Sequence, residues 1–144
     1  MYKIITTLFL FIYISIPSYA GGIGFVDYNK IVENYNFAKI TFRELDTKAA
    51  ETRNYLIKKE EEYNQLESPV QKFKFEQEMQ DEIKKRESAF NDHKEKREAV
   101  IKNRIQEAID KIREEKGLDA VVDYEVIRSG GTDITDDVIK KLNE

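Results

Sequence analysis

Apolar residues between Phe37 and Leu66 recur in alternating steps of four and three. Ala38, Phe42, Leu45, Ala49, Thr52, Leu56, Lys59, Tyr63 and Leu66 occupy that register, with Lys59 its one clear mismatch. A repeat of about 3.5 residues is the seam of a left-handed coiled coil, so this stretch predicts a long helix. Ala38, Ala49 and Thr52 are small enough for a partner helix to come close. From Phe37 to Glu115 there is no glycine, and Pro69 is the only proline. Proline breaks a helix interior and disfavours helical geometry in the residue before it. Two helices joined at Glu67–Pro69 follow, folded back as an antiparallel hairpin, with Ser68 capping the second and Pro69 at its first position.

The second helix, from Val70 to Lys116, is graded along its length. Val70, Phe73, Phe75, Met79 and Ile83 make its tip end apolar, while Lys84 to Glu98 is very polar with Phe90 as the main anchor. A dense stripe then returns at Val100, Ile101, Ile105, Ala108, Ile109 and Ile112. At about 1.5 Å per residue the two helices run roughly 45 and 70 Å, which makes this hairpin an arm. Phe73 and Phe75 cannot share one helix face. The plain account is that one packs in the hairpin and the other covers the tip. The functional account is an adaptable apolar surface for a non-native partner, with Leu66, Val70, Phe73, Phe75, Met79 and Phe90 as candidate binding residues.

The two ends of the chain predict a small base, residues 21–36 and 117–144, around an arm of residues 37–116 with its tip near 67–69. Ile23 to Asp27 reads as a strand ending in a helix cap, and Tyr28 to Tyr35 as a short amphipathic helix with Ile31 and Val32 inside. Gly117 ends the long helix. Leu118–Val122 and Val126–Arg128 read as strands around Asp123-Tyr124-Glu125, Gly130-Gly131 as a turn, and Thr135 as the cap of a helix from Asp136 to Leu142. Asp136 and Asp137 suit the positive end of that helix, Lys140 and Lys141 the other. The fold class is therefore α+β, mostly α, in a single domain. Three short strands and one short helix bury too little to stand alone and leave open sheet edges. A homo-oligomer follows, with Ile23, Phe25, Val26, Val121, Val122, Val126 and Ile127 as candidate assembly residues.

Residues 1–20 have the three parts of a cleavable secretory signal: Lys3, the apolar run Ile4 to Ile16, and Ser18-Tyr19-Ala20 after Pro17. The rival reading, a membrane anchor, needs about 20 apolar residues, which this run lacks. Cleavage after Ala20 gives an exported mature chain with no stable membrane insertion. The chain has no cysteine, so export brings neither disulfides nor a lipid-modified cysteine. Charged residues make up 36% of it. That exceeds the usual quarter and favours thin two-sided helices over a thick core.

Chemistry is sparse. His93 is the only histidine and sits among Asn91, Asp92 and Lys94, where it reads as a solvated surface group. Neither a zinc site nor a serine nucleophile can be assembled around it. Asp133, Asp136 and Asp137 lack the spacing of a calcium loop and fit helix capping better. Gly22-Ile23-Gly24 precedes its strand, so it is no dinucleotide fingerprint. Acidic residues interleave with the basic clusters Lys84-Lys85-Arg86 and Lys94 to Arg97, which disfavours nucleic acid. The expectation is a non-enzyme without cofactor. Charges nearly balance along the arm, while Ile105 to Glu144 holds eleven acidic and six basic residues.

Taken in order, these parts resemble the Skp/OmpH family of periplasmic holding chaperones, over essentially the whole chain. The resemblance rests on Ile23-Gly24-Phe25-Val26-Asp27 with Ile31, on Glu115 to Asp123, and on Gly131 to Val138. It implies a trimer whose bases join in a β-barrel body, with three arms enclosing a cavity. Unfolded outer-membrane β-barrel proteins would be held there without ATP. The best-known members are basic with strongly positive arms, whereas this chain is acidic overall, so no lipopolysaccharide or anionic-membrane contact is carried over. The alternative is an envelope adaptor coiled coil with one folded partner.

Overall fold

The computed structural model describes residues 21–144; the expected leader, residues 1–20, lies outside them. The described chain runs β1 (Ile23–Val26), α1 (Tyr28–Asn34), α2 (Asn36–Asn64), α3 (Pro69–Glu115), β2 (Ala120–Asp123), a single 3₁₀ turn (Tyr124–Val126), β3 (Thr132–Asp133) and α4 (Thr135–Leu142). Helices α2 and α3, of 29 and 47 residues, form the expected hairpin. Ser68 takes the cap position before Pro69 but makes no side-chain capping bond; its carbonyl accepts from Lys72 N at 3.0 Å. Proline at the first position has no N–H to satisfy, so the helix starts without that bond.

The base sheet is parallel, in the order β2-β1-β3. Phe25 pairs with Val122 and with Asp133, and Gly24 with Val121 and Thr132. Gly24 faces the helices at close range, where an added Cβ would lie 2.7 Å from Leu118 Cδ1. Leu118 is held there by the end of α3. Gly117 takes φ +64, Gly117 N donates to the Glu114 carbonyl at 3.1 Å, and Leu118 N donates to the Arg113 carbonyl at 3.0 Å. This left-handed glycine stop turns the chain from the arm into β2.

Two expectations for the base need correction. Val126–Arg128 is not a strand, because Asp123 Oδ1 accepts from Glu125 N at 3.0 Å and winds Tyr124–Val126 into the 3₁₀ turn. The third strand is Thr132–Asp133, after the positive-φ pair Gly130-Gly131. Nor does Thr135 cap α4. The cap position falls on Ile134, and the preceding Asp133 Oδ1 accepts from Thr135 N at 2.9 Å and from Thr135 Oγ1 at 2.6 Å, so that carboxylate serves the helix start. The buried Thr135 hydroxyl accepts from Asp27 N at 3.0 Å, tying α4 to the start of α1. Asp136 and Asp137 also pair with Lys30 and Lys116, at 2.8 and 2.9 Å. At the far end of α4, Asn143 Oδ1 accepts from Asn36 N and Asn143 Nδ2 donates to the Asn34 carbonyl, bridging the break between α1 and α2.

One core lies where these pieces meet. Ile31, Ile105, Ile134 and Val138 are fully buried, joined by Val26, Ala38, Ile101, Ala108, Ile109, Ile112 and Leu118. On the arm this burial stops at Leu45 on α2 and at Ile101 on α3. Farther out the seam departs from the predicted register. Ala38, Leu45, Thr52, Lys59 and Leu66 do face α3, and Thr41 and Tyr55 flank them on one side. Phe42 and Leu56 lie on the other side, each 37% exposed. Lys59, the apparent mismatch, is partly covered, with Nζ on Glu62 Oε2 at 2.6 Å and 5.8 Å from the Phe75 ring centre. A long aliphatic stem lets lysine occupy such a position with its ammonium at the rim.

Ile105→Ala should therefore cost the whole protein about 2–5 kcal/mol, read as a lower urea midpoint with an unchanged slope. Asp133 supports a pH test. Its bonds from the Thr135 side chain and then the Thr135 backbone hold its carboxyl below the usual value, assisted by Lys30. The cap's contribution is thus present above the unfolded carboxyl pKa of about 3.9 and is lost as pH falls through the lower folded value. Asp133→Asn should destabilise at neutral pH by about 1 kcal/mol at most. The gap from wild type should close in thermal melts as pH drops below about 4.

Candidate functional site

The candidate binding residues divide into two sets at the tip. Val70 and Phe73, three positions apart on the first turns of α3, are 65% and 60% exposed and project from the hairpin. Phe75 and Met79 instead turn towards α2, and both are half-buried. Phe75 meets Tyr63 at a ring separation of 6.0 Å and, with Met79 and Ile83, faces Leu56 across a shallow groove. Tyr63 Oη donates to Glu76 Oε1 at 2.6 Å. That bond, with some loss of hydration, raises the phenol above its ordinary pKa. Leu66 is half-buried at the turn, and Phe90 half-buried far down the arm, beside Ala49. The structure thus joins Phe75 to Met79 and Val70 to Phe73, and leaves Phe90 apart from both.

The register shift gives the arm two chemically different flanks. On the first, Phe42, Ala49, Leu56 and Tyr63 line successive grooves against α3. On the second, Arg86 lies 3.8 Å from the Tyr55 ring centre while bonding Glu82 at 2.9 Å. Closer to the base, Glu44 takes His93 Nε2 at 3.1 Å and Arg97 Nη2 at 3.2 Å, and Arg97 also reaches Thr41 Oγ1 at 3.4 Å. His93 is therefore not the solvated surface group its neighbours suggested, because α2 presents a carboxylate to it across the hairpin. Sequence reading missed Phe42 and Leu56 as surface residues. Their place on a seven-residue repeat with Ala49 between them was visible, but a heptad stripe alone does not say which half a single partner helix covers.

The candidate assembly residues also separate. Strand alternation turns Ile23, Phe25 and Val122 to the sheet face away from the helices, where Ile23 is 51% exposed. Val126, in the 3₁₀ turn after β2, is 69% exposed and Ile127 half-buried. Val26 and Val121 point the other way, Val26 into the protomer's own core and Val121 packed against it. Among the described residues β2 has a strand neighbour on one side only. No group of His, Cys, Asp and Glu among them could hold a metal ion, and no helix among them is long and apolar enough to cross a membrane.

The Glu44 cluster makes a local prediction. Glu44→Ala removes the partner of both His93 and Arg97, whose Nε is already buried without a bond. For such a partly exposed pair the loss is about 1 kcal/mol. Amide exchange should speed roughly fivefold around 41–45 and 93–97, while the amides of Ile105 to Ile112 keep their protection. Equal acceleration in both regions would show that the cluster holds the base as well.

The arm, the open sheet face and the glycine-stopped second helix together fit one known family. The family model described as outer membrane protein (OmpH-like) matches residues 22–142, from the start of β1 to the end of α4. No curated protein matches the chain in sequence. With nearly the whole chain covered by that match, the protein belongs to the Skp/OmpH family.

Proposed function

We propose that the protein is an ATP-independent holding chaperone of the periplasm. It binds unfolded outer-membrane β-barrel proteins and prevents their aggregation in transit. The observation that carries the reading is a long arm with exposed apolar side chains and no deep core, in a chain matched by the OmpH-like family over residues 22–142. Weak, repeated contacts along such an arm suit a partner with no fixed shape, since each contact can form or break without the others. Val70 and Phe73, with Phe75 and Met79 behind them, are the proposed tip contacts.

Export by cleavage after Ala20 and assembly as a homotrimer complete the proposal. Ile23, Phe25 and Val122 form an apolar sheet face that another copy would cover, and the free side of β2 offers backbone groups for strand pairing. The trimer would thereby add the buried area that one base lacks.

The mature protein should keep a urea-unfolded outer-membrane β-barrel protein soluble after dilution, at near-stoichiometric amounts, with light scattering as the readout and no nucleotide present. Native mass spectrometry should give three copies. Val70→Ser with Phe73→Ser should weaken holding severalfold and leave that mass unchanged. No suppression of aggregation by an intact oligomer would sink the proposal. A pull-down yielding one folded, stoichiometric protein would favour the adaptor reading instead.

A further inference from the structure

The apolar flank of the arm has a charge character of its own. Three shallow grooves, of about 280 to 380 Å³, follow one another along it from base to tip. The first lies between Tyr28 and Val32 of α1, Phe42, and Ile101 of α3. Phe42 continues into the second, which adds Ala49 and Phe90. The third is the tip groove of Leu56, Phe75 and Met79. The carboxylates along these grooves are Glu33, Asp46, Glu60, Glu76 and Glu98, and the only basic groups are Lys59 and Lys94. Both lysines already have acidic neighbours, Lys59 on Glu62 at 2.6 Å and Lys94 at 3.9 Å from Glu98. The groove at the base end holds two glutamates and no basic group.

The opposite flank is different. Lys48, Arg86 and His93 line its groove beside Glu51, over a floor that shares Phe90 with the first flank, and Arg97 adjoins it, paired with Glu44. The arm's overall neutrality therefore conceals an asymmetry: apolar surface edged mostly by acid, with Glu33, Asp46 and Glu60 in no ion pair, on one side, and a basic-lined groove with Arg86, His93 and Arg97 held by carboxylates on the other.

We infer that the Phe42–Ala49–Leu56 flank is the face on which unfolded chain is held, and that it selects apolar segments carrying lysine or arginine. This rests on the chaperone reading above and specifies the segment it takes. Aromatic and aliphatic side chains enter the grooves, and neighbouring cations meet the carboxylates at the rim. An acidic segment of equal hydrophobicity meets repulsion there.

The chain has no cysteine, so Ala49→Cys and Glu51→Cys can each carry a single environment-sensitive fluorophore, one per flank. Adding an unfolded β-barrel protein to the assembled chaperone should shift the emission at position 49 to the blue and leave position 51 unchanged. Two extended peptides with the same Phe and Leu content, one spaced by lysine and one by glutamate, should bind wild type with affinities differing about three- to fivefold in favour of lysine, at low salt. The preference should shrink to less than twofold in Glu33→Gln/Glu98→Gln. Equal affinities for the two peptides, or equal shifts at the two positions, would overturn the inference. So would loss of the oligomer in Phe42→Ser/Leu56→Ser, which would make this flank a contact between copies. The peptide measurement needs no aggregating client, so failure of the chaperone reading and failure of the flank assignment give separate results.

Discussion

Everything in this molecule hangs from the packing of one isoleucine stripe. Ile101, Ile105, Ile109 and Ile112 lie on one side of α3, and the base closes over them with Ile31, Ala38, Ile134 and Val138. That face orders the strands, since Leu118 is placed by the end of the same helix and sits beneath Gly24 of β1. It also fixes the root of the arm, because Ala38 brings α2 against α3 within the core. Polar ties then secure the pieces that burial alone would leave loose. Thr135 locks α4 to Asp27, and Asn143 bridges the break at Tyr35.

Stability must fall along the arm from that root. Outside the base the helices are joined by partly covered side chains, ion pairs and cation–aromatic contacts, none of which excludes water fully. Contacts of this kind contribute about 1 kcal/mol or less each. Helices of this length in water rely on tertiary packing of an apolar face more than on intrinsic propensity. A firm base with a looser arm is therefore built into the composition of the two helices. It also lets the arm adjust to a partner while the base stays folded.

The arm was legible because its signals are local and redundant. Pro69 marks the turn, the absence of glycine marks the helices, and Gly117 marks the stop. The Val126–Arg128 strand failed for a local reason too: the Asp123 side chain competes for the following backbone, which an apolar pair cannot reveal. The seam failed for a geometric one. Positions 42, 49, 56 and 63 and positions 41, 48, 55 and 62 are equally spaced, and both adjoin the central line through Leu45, Thr52 and Lys59. Composition favoured the first set as the buried one, since Phe42 and Leu56 are apolar. The structure packs Thr41 and Tyr55 instead, where they reach Arg97 and Arg86 of α3. Polar pairing across the hairpin accompanies this rotation of α2, with Phe42 and Leu56 on the outer side.

That rotation connects the fold to the proposed activity. A hairpin that buried Phe42 and Leu56 in its own seam would offer a partner, below the exposed tip residues Val70 and Phe73, little but charge. Placing charged and aromatic pairs on one flank neutralises both of its arginines, since Arg86 and Arg97 each have a carboxylate within 3.2 Å. The acidic residues of the other flank keep no such partners, apart from Glu98 near Lys94 and Glu76 with Tyr63. Neutrality over the whole arm is thus compatible with a definite sign at its apolar surface. For a partner touching only that surface, the local sign governs the contact, because charges on the far flank are separated from it by solvent and helix.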